Sequence, residues 1–282
     1  MSKIITLQNI LIFFVVTTSV FTLSLYLISK SYIFTILVVI IFARTQIYFS
    51  EVLHESTHFN FIKLKGIQIK KIERFINIFL FPFLLTTIEQ NRSHHFLHHN
   101  IMNSRNNKHK LFSDLDPDTK IYNPCEFNLK SFAQDFLGIT TVKLLLLNNN
   151  RRNVLNEKGG GGDKKEDFNY FLKLISLFMI WSVIIFQKNG FIIFFCYAVS
   201  AICIYPLLSR IRIYIQHKNI QGIDVARNIK VSPLSMLFMS NMMSNHLSHH
   251  ENPNLSYREL EKYVQFNNIK KDSFMDSFHQ IK

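Results

Sequence analysis

Two adjacent pairs of long apolar runs constrain this chain more than any other feature. Ile10 to Ile28 and Ile33 to Phe42 are almost free of charge. Phe171 to Phe186 and Phe191 to Leu208 repeat the pattern, the former interrupted only by Lys173. A spanning helix needs about 20 apolar residues. Runs this long, paired this closely, exceed what a soluble core uses, so they read as membrane helices rather than core strands.

The expected fold is therefore all-α and integral to a membrane. Four transmembrane helices form two hairpins, about 8–29 with 32–50 and about 169–187 with 191–208, joined to a cytoplasmic helical cap. The first run lies too close to the second to be a removed signal peptide, and no small-residue cleavage site separates them. The hairpin turns, Lys30-Ser31 and Lys188-Asn189-Gly190, hold just two of the 32 Lys and Arg residues. The positive-inside rule then places the N-terminus and segments 60–168 and 209–282 on the cytoplasmic face, both termini included. This accounts for the formal net charge of +13 without nucleic acid, and no aromatic-basic nucleic-acid motif accompanies it. Cys125, Cys196 and Cys203 form neither a disulfide framework nor a metal motif.

The loop between the hairpins is not uniform. Lys63 to Arg74 is basic and amphipathic, suited to anionic headgroups. Phe75 to Ile88 is apolar, carries Pro82 and is too short to cross comfortably, which predicts a re-entrant or interfacial segment. After a His-rich stretch comes the polar loop SDLDPDT, then a moderately apolar piece, Phe132 to Leu147. Residues 148–168 have the composition of a flexible linker. The chain reads as one domain over 1–282.

Eight of the twelve histidines fall within fifteen positions: HESTH at 54–58, HFLHH at 95–99 and HLSHH at 246–250. HESTH alone matches H-E-x-x-H, in which two histidines on one helix face hold zinc and Glu55 is the base of a metalloprotease. A catalytic zinc uses three protein ligands, however, and a structural one four. So many converging histidines suit two metal ions, and imidazole suits iron as well as zinc. Residues 32 to 58 as one helix run about 40 Å, which carries HESTH just beyond the bilayer. The fourth span can likewise continue through SRIRIYIQH to His217. All the clusters then meet at one membrane face.

In the order and spacing of these boxes, from about His54 to Leu260, the chain resembles the membrane fatty acid desaturase and hydroxylase superfamily. Box one is HESTH. Box two is RSHHFLHH, Arg92 to His99, followed by DLDPD, Asp114 to Asp118. Box three is HLSHHENP, His246 to Pro253, continuing into YREL. The stretch RIRIYIQH, ending at His217, resembles an element that supplies a further metal-binding histidine, with Gln216 where many relatives have Glu. The resemblance implies a centre of two iron ions held by His54, His58, His95, His98, His99, His217, His246, His249 and His250. His94 competes with His95, which is favoured because it reproduces the box-three spacing.

Glu55 is then expected to orient a ligand imidazole. Asp114, Asp116 and Asp118 either do the same or order a polar turn around Pro117. Asn241 and Asn245 read as ordinary polarity, and His109 and His279 as solvated surface residues. Arg92, Arg210 and Arg212 are expected to snorkel toward lipid phosphate.

The resemblance further implies O2 as co-substrate and a long apolar lipid or acyl chain as substrate. Electrons come from a separate donor of ferredoxin or cytochrome b5 type. The first expectation is an acyl-chain desaturase, and the runner-up a hydroxylase or ketolase of a fatty chain, sphingoid base or carotenoid. A membrane zinc protease, or a non-catalytic metal-binding or transport protein, is the remote alternative. Bacterial inner membrane is favoured over endoplasmic reticulum.

Overall fold

The computed structural model describes residues 2–61, 67–84, 86, 88, 91–92, 95–96, 99, 128–143, 164–217 and 226–279. His94, His98, His109, Cys125, the aspartates at 114, 116 and 118, and most of the expected linker lie outside them. The described part is helical, with only two isolated bridges, Asn228 with Asn245 and Ile229 with Asp272. Among the described residues, three helical stretches are long and apolar enough to cross a membrane: Gln8–Lys30, Tyr32–Thr57 and Gly190–His217.

The first hairpin joins α1 (Ser2–Lys30) to α2 (Thr35–Thr57) through a single 3-10 turn, Tyr32–Phe34. In the second, α5 (Lys164–Ile185) turns into α6 (Gly190–Val199). Here Asn189 takes a left-handed φ of 66°. A Cβ on Gly190 would sit 1.7 Å from the Ile184 carbonyl oxygen, so only glycine fits a turn this tight. α5 begins before the span expected from 169, so residues 164 to 168 are helix rather than linker. Its described apolar part, Ile175–Ile185, is shorter than a full span.

α6 runs on through a π-helical turn, Ser200–Ile204, into α7 (Tyr205–His217). α2 and the α6–α7 stretch both run on as continuous helix to the histidine-bearing end, the first to Thr57 and the second to His217. Aromatic side chains fill the space between the helices. Phe49 and Phe83 have ring centroids 5.2 Å apart, Phe83 and Trp181 5.9 Å, and Trp181 and Tyr197 4.2 Å.

α3 (Ile67–Leu84) explains the apolar segment that was too short to cross. It rises from the histidine side beside α5 and α2 and stops with its last carbonyls among the spans. The last carbonyls of a helix have no partner within it, and where the end is buried side chains must supply the donors. Tyr197 Oη donates to the Pro82 carbonyl at 2.8 Å and Trp181 Nε1 at 3.3 Å. Gln46 Nε2 donates to the Phe83 carbonyl at 3.4 Å. Asn77 accepts from the Ile88 amide at 2.9 Å as the chain turns back. The chain turns back here, and its return delivers box two to the histidine side.

The remaining elements are α4 (Leu129–Phe136), α8 (Ser235–Phe238), α9 (His246–Glu251), α10 (Tyr257–Phe266) and α11 (Phe274–His279). α4 packs against α7 and the π turn, and α8 against α7 and α2.

Candidate metal centre

His54 and His58 lie one turn apart on α2, so both rings leave the same face. The helix is stopped immediately after them. Phe59 takes a left-handed φ of 60°, unusual for so large a side chain. The amide of Asn60 donates back to the Glu55 carbonyl at 2.8 Å. The Arg92 guanidinium holds this end. Nε donates to the Thr57 carbonyl and Nη2 to the Ser56 carbonyl, each at 3.0 Å, and Nη2 also reaches Glu73 Oε1 at 2.6 Å. Its carbon centre stands 4.0 Å over the Phe59 ring. A cation on the last carbonyls of a helix is electrostatically favourable. Arg92 therefore fastens box two to box one, in place of the lipid-facing role expected for it.

The imidazoles gather into two groups. His54, His58, His95, His99 and His249 form one, and His217, His246 and His250 the other; within each group, one ligand atom per residue lies within 4.8 Å of all the others. The split of box three follows from helix geometry. At 3.6 residues per turn, His249 and His250 point about 100° apart, and His246 shares the face of His250. One short helix thus serves two centres. They have a common wall, since the rings of His99 and His250 are 4.4 Å apart.

The spacing suits metal ligation. Ligand nitrogens about 2.0–2.1 Å from one ion lie roughly 2.9–3.4 Å from each other in octahedral-cis or tetrahedral arrangement. His95 and His99 Nε2 are 3.0 Å apart and His99 and His249 Nε2 3.2 Å; in the second group His217 and His246 are 2.9 Å apart and His246 and His250 3.3 Å. Among the described residues, both nitrogens of buried His54, and Nε2 of His58, have no hydrogen-bond partner. A buried polar group left in that state costs about 1–3 kcal/mol, and a metal ion relieves it. Burial, reinforced by the His99 and Arg92 charges, lowers the His58 pKa to about 3. Burial and His217 lower that of His99 to about 4. The rings stay neutral at physiological pH, with lone pairs available.

The fatty acid desaturase family model matches residues 30–267, most of the chain and all three boxes. The chain belongs to the fatty acid desaturase family. No curated protein and no solved structure gives a significant match.

Around these boxes the desaturase-family chain carries a buried polar scaffold that no local pattern announced. Glu51, one turn before His54, accepts from the Ser240 amide at 2.9 Å and from its hydroxyl, with Arg212 Nη1 at 3.7 Å. Arg210 is paired with Asp135 inside the protein, Nη2 to Oδ1 at 3.0 Å. Neither arginine snorkels: both face carboxylates, because a buried cation left without a counter-charge is strongly destabilising.

Gln216 Nε2 donates to the Met243 carbonyl at 2.9 Å, a bond that a glutamate could not make. It anchors the approach to box three. Asn228 brackets Ser248, donating to its hydroxyl at 2.9 Å and accepting from its amide at 3.1 Å. Asn60 Nδ2 donates to the carbonyls of Pro253 and Leu255, both at 2.9 Å, and so ties the end of box one to the end of box three. Asn245 donates to Glu261 at 2.7 Å, as ordinary polarity would.

Glu55 points to the start of α10, where its Oε2 accepts from the Tyr257 amide at 3.3 Å. The carboxylate is well placed at a helix N-terminus. Glu51 was legible in part, since a carboxylate inside an apolar helix calls for a partner, but which partner was not.

Proposed function

We propose that the chain is an O2-dependent di-iron oxidoreductase that attacks an unactivated C–H bond of a lipid acyl chain, as a fatty acid or acyl-lipid desaturase. The observation carrying this reading is the pair of adjoining buried imidazole groups, five and three strong, in a member of the desaturase family. A lone zinc site has no use for the surplus.

His54, His58, His95, His99 and His249 would hold one ion and His217, His246 and His250 the other, with His98 as a further ligand. Bound there, the iron pair supplies redox chemistry with O2, drawing two electrons and two protons. Desaturation balances as loss of two hydrogens from adjacent carbons, with O2 leaving as two waters. The chain's own part is to hold and insulate. Neutral rings ligate without bringing charge of their own, and burial of His54, His246, His249 and His250 keeps bulk water from the reacting carbon.

An apolar cavity of about 420 Å³ lies among α1, α3, α5 and α6, lined by Phe21, Leu25, Phe79, Phe83, Met179 and Val183 among others. Phe83 of its wall packs on Phe49, less than two turns along α2 from His54. Such a lining favours a hydrocarbon chain entering from the bilayer.

The enzyme would cross the membrane four times in two hairpins, with α5 as the third span, and hold both termini and the histidines in the cytoplasm. A separate ferredoxin or cytochrome b5 type donor docks on that face, in a bacterial inner membrane. Lipid profiling of a host expressing the chain, beside a His249→Ala control, tests the activity. A product two hydrogens lighter, lost in the control, supports desaturation; a gained oxygen assigns the hydroxylase or ketolase alternative. A product that survives His249→Ala overturns the site.

A further inference from the structure

Two short helices at the edge of the histidine side expose what a water-facing cap should hide. On α4 and the turn after it, Leu129, Phe136 and Leu137 are 85%, 52% and 67% exposed; on α8, Leu234, Met236 and Leu237 are 41%, 49% and 49% exposed. Both flank α7.

Their depth can be read from the spans they touch. Arg44 Nε donates to the Met236 carbonyl at 2.5 Å. Arg44 is thirteen residues from the hairpin turn at Ser31, about 20 Å along α2 at 1.5 Å per residue. Thr141 donates to the Ile202 carbonyl at 2.9 Å. Ile202 is twelve residues from Gly190, about 18 Å by the same measure. A hydrocarbon layer is about 30 Å thick. Both contacts therefore fall well short of its far boundary, and helix tilt only increases the shortfall.

The polar groups of the two segments fit that setting. A segment in hydrocarbon must satisfy its own backbone. At the start of α8 the Ser232 amide donates to Ser235 Oγ at 2.8 Å and the Ser235 amide to Ser232 Oγ at 3.2 Å. At the start of α4 the Asn128 amide donates to Ser131 Oγ at 3.0 Å and the Ser131 amide to Asn128 Oδ1 at 2.8 Å. The acid of α4, Asp135, is turned inward onto Arg210. Lys130 has a stem long enough to reach the headgroups.

We infer that α4 and α8 are seated in the acyl region of the leaflet on the histidine side, so that the partner of this surface is lipid. The cap is then sunk into the monolayer on both sides of α7, which brings His217 and its neighbours close to chains lying in that leaflet. This rests on the membrane-spanning reading of the long helices.

Nitroxide labels in lipid nanodiscs test it, in a parent with Cys125→Ala, Cys196→Ala and Cys203→Ala. Labels at Phe136→Cys and Leu237→Cys are compared with Val15→Cys, exposed on α1, and with Lys270→Cys, whose native side chain is 89% exposed. The expected result is greater relaxation by O2 than by a water-soluble nickel chelate at 136 and 237, as at 15, and the reverse at 270. Nickel-dominated relaxation at 136 and 237 overturns the inference while leaving the spans intact. Protection from both reagents also overturns it, because protein then covers the surface. Nickel-dominated relaxation at 15 instead sinks the spanning reading. Should the cysteine-free parent not fold, quenching of Phe136→Trp and Leu237→Trp by brominated lipid gives the same decision. Quenching no greater than that of the unaltered chain overturns the inference.

Discussion

His99 and His249, 150 residues apart in sequence, bring their Nε2 atoms to 3.2 Å from each other. Nothing between two uncharged imidazoles rewards such an approach in a buried site as well as a shared metal does. Once His99 is placed, so is the border between the two groups, because its ring also lies against His250.

The repeated spelling H-x-x-H-H carries a prediction for His98. In box three the first and last histidines serve one group and the middle one serves the other. His95 and His99 already share a group, so His98, in the middle position, is expected to serve the three-histidine group. His98→Ala and His246→Ala should each lose one metal of two. Full metal content in His98→Ala contradicts this.

Arg92 is expected to act on metal affinity without touching metal. Its planar fork bonds two carbonyls and Glu73 at once, which a lysine cannot reproduce. Arg92→Lys should weaken metal retention in the five-histidine group by about 10–100-fold, the range for residues that orient ligands. Chelator competition reads this directly, and unchanged retention counts against it.

Gln216→Glu tests a departure from the family pattern. The Nε2 bond to the Met243 carbonyl becomes two acceptors facing each other, at a cost of about 1–3 kcal/mol. Lower thermal stability and reduced occupancy of the three-histidine group are expected. A variant as stable as the parent would show that the carboxylate finds a donor there.

The buried end of α3 should behave cooperatively. Tyr197→Phe or Trp181→Phe leaves the Pro82 carbonyl one donor and should cost about 1 kcal/mol. The double variant removes both donors found among the described residues, and an unpaired buried carbonyl costs about 1–3 kcal/mol. Unfolding measured over the double-mutant cycle should therefore show a loss larger than the sum. Simple additivity would contradict the capping role.

These sites differ in how visible they were. The three long apolar helices and the clustered histidines announced themselves, because apolar run length and helical spacing are local properties. The partners of Arg92, Arg210 and Glu51 did not. Arg210 meets Asp135 across 75 residues and Glu51 meets Ser240 across 189. Such pairings are fixed by tertiary packing, and an arginine near a membrane boundary looks the same in sequence whether it snorkels or is paired. The bond from the Tyr257 amide to Glu55 was hidden for a similar reason, because it depends on where α10 begins.

Metal analysis of the purified chain tests the central claim most directly. Two iron ions per polypeptide are predicted, falling to one or fewer in both His249→Ala and His246→Ala. A single zinc per polypeptide, or metal content indifferent to both substitutions, would contradict it.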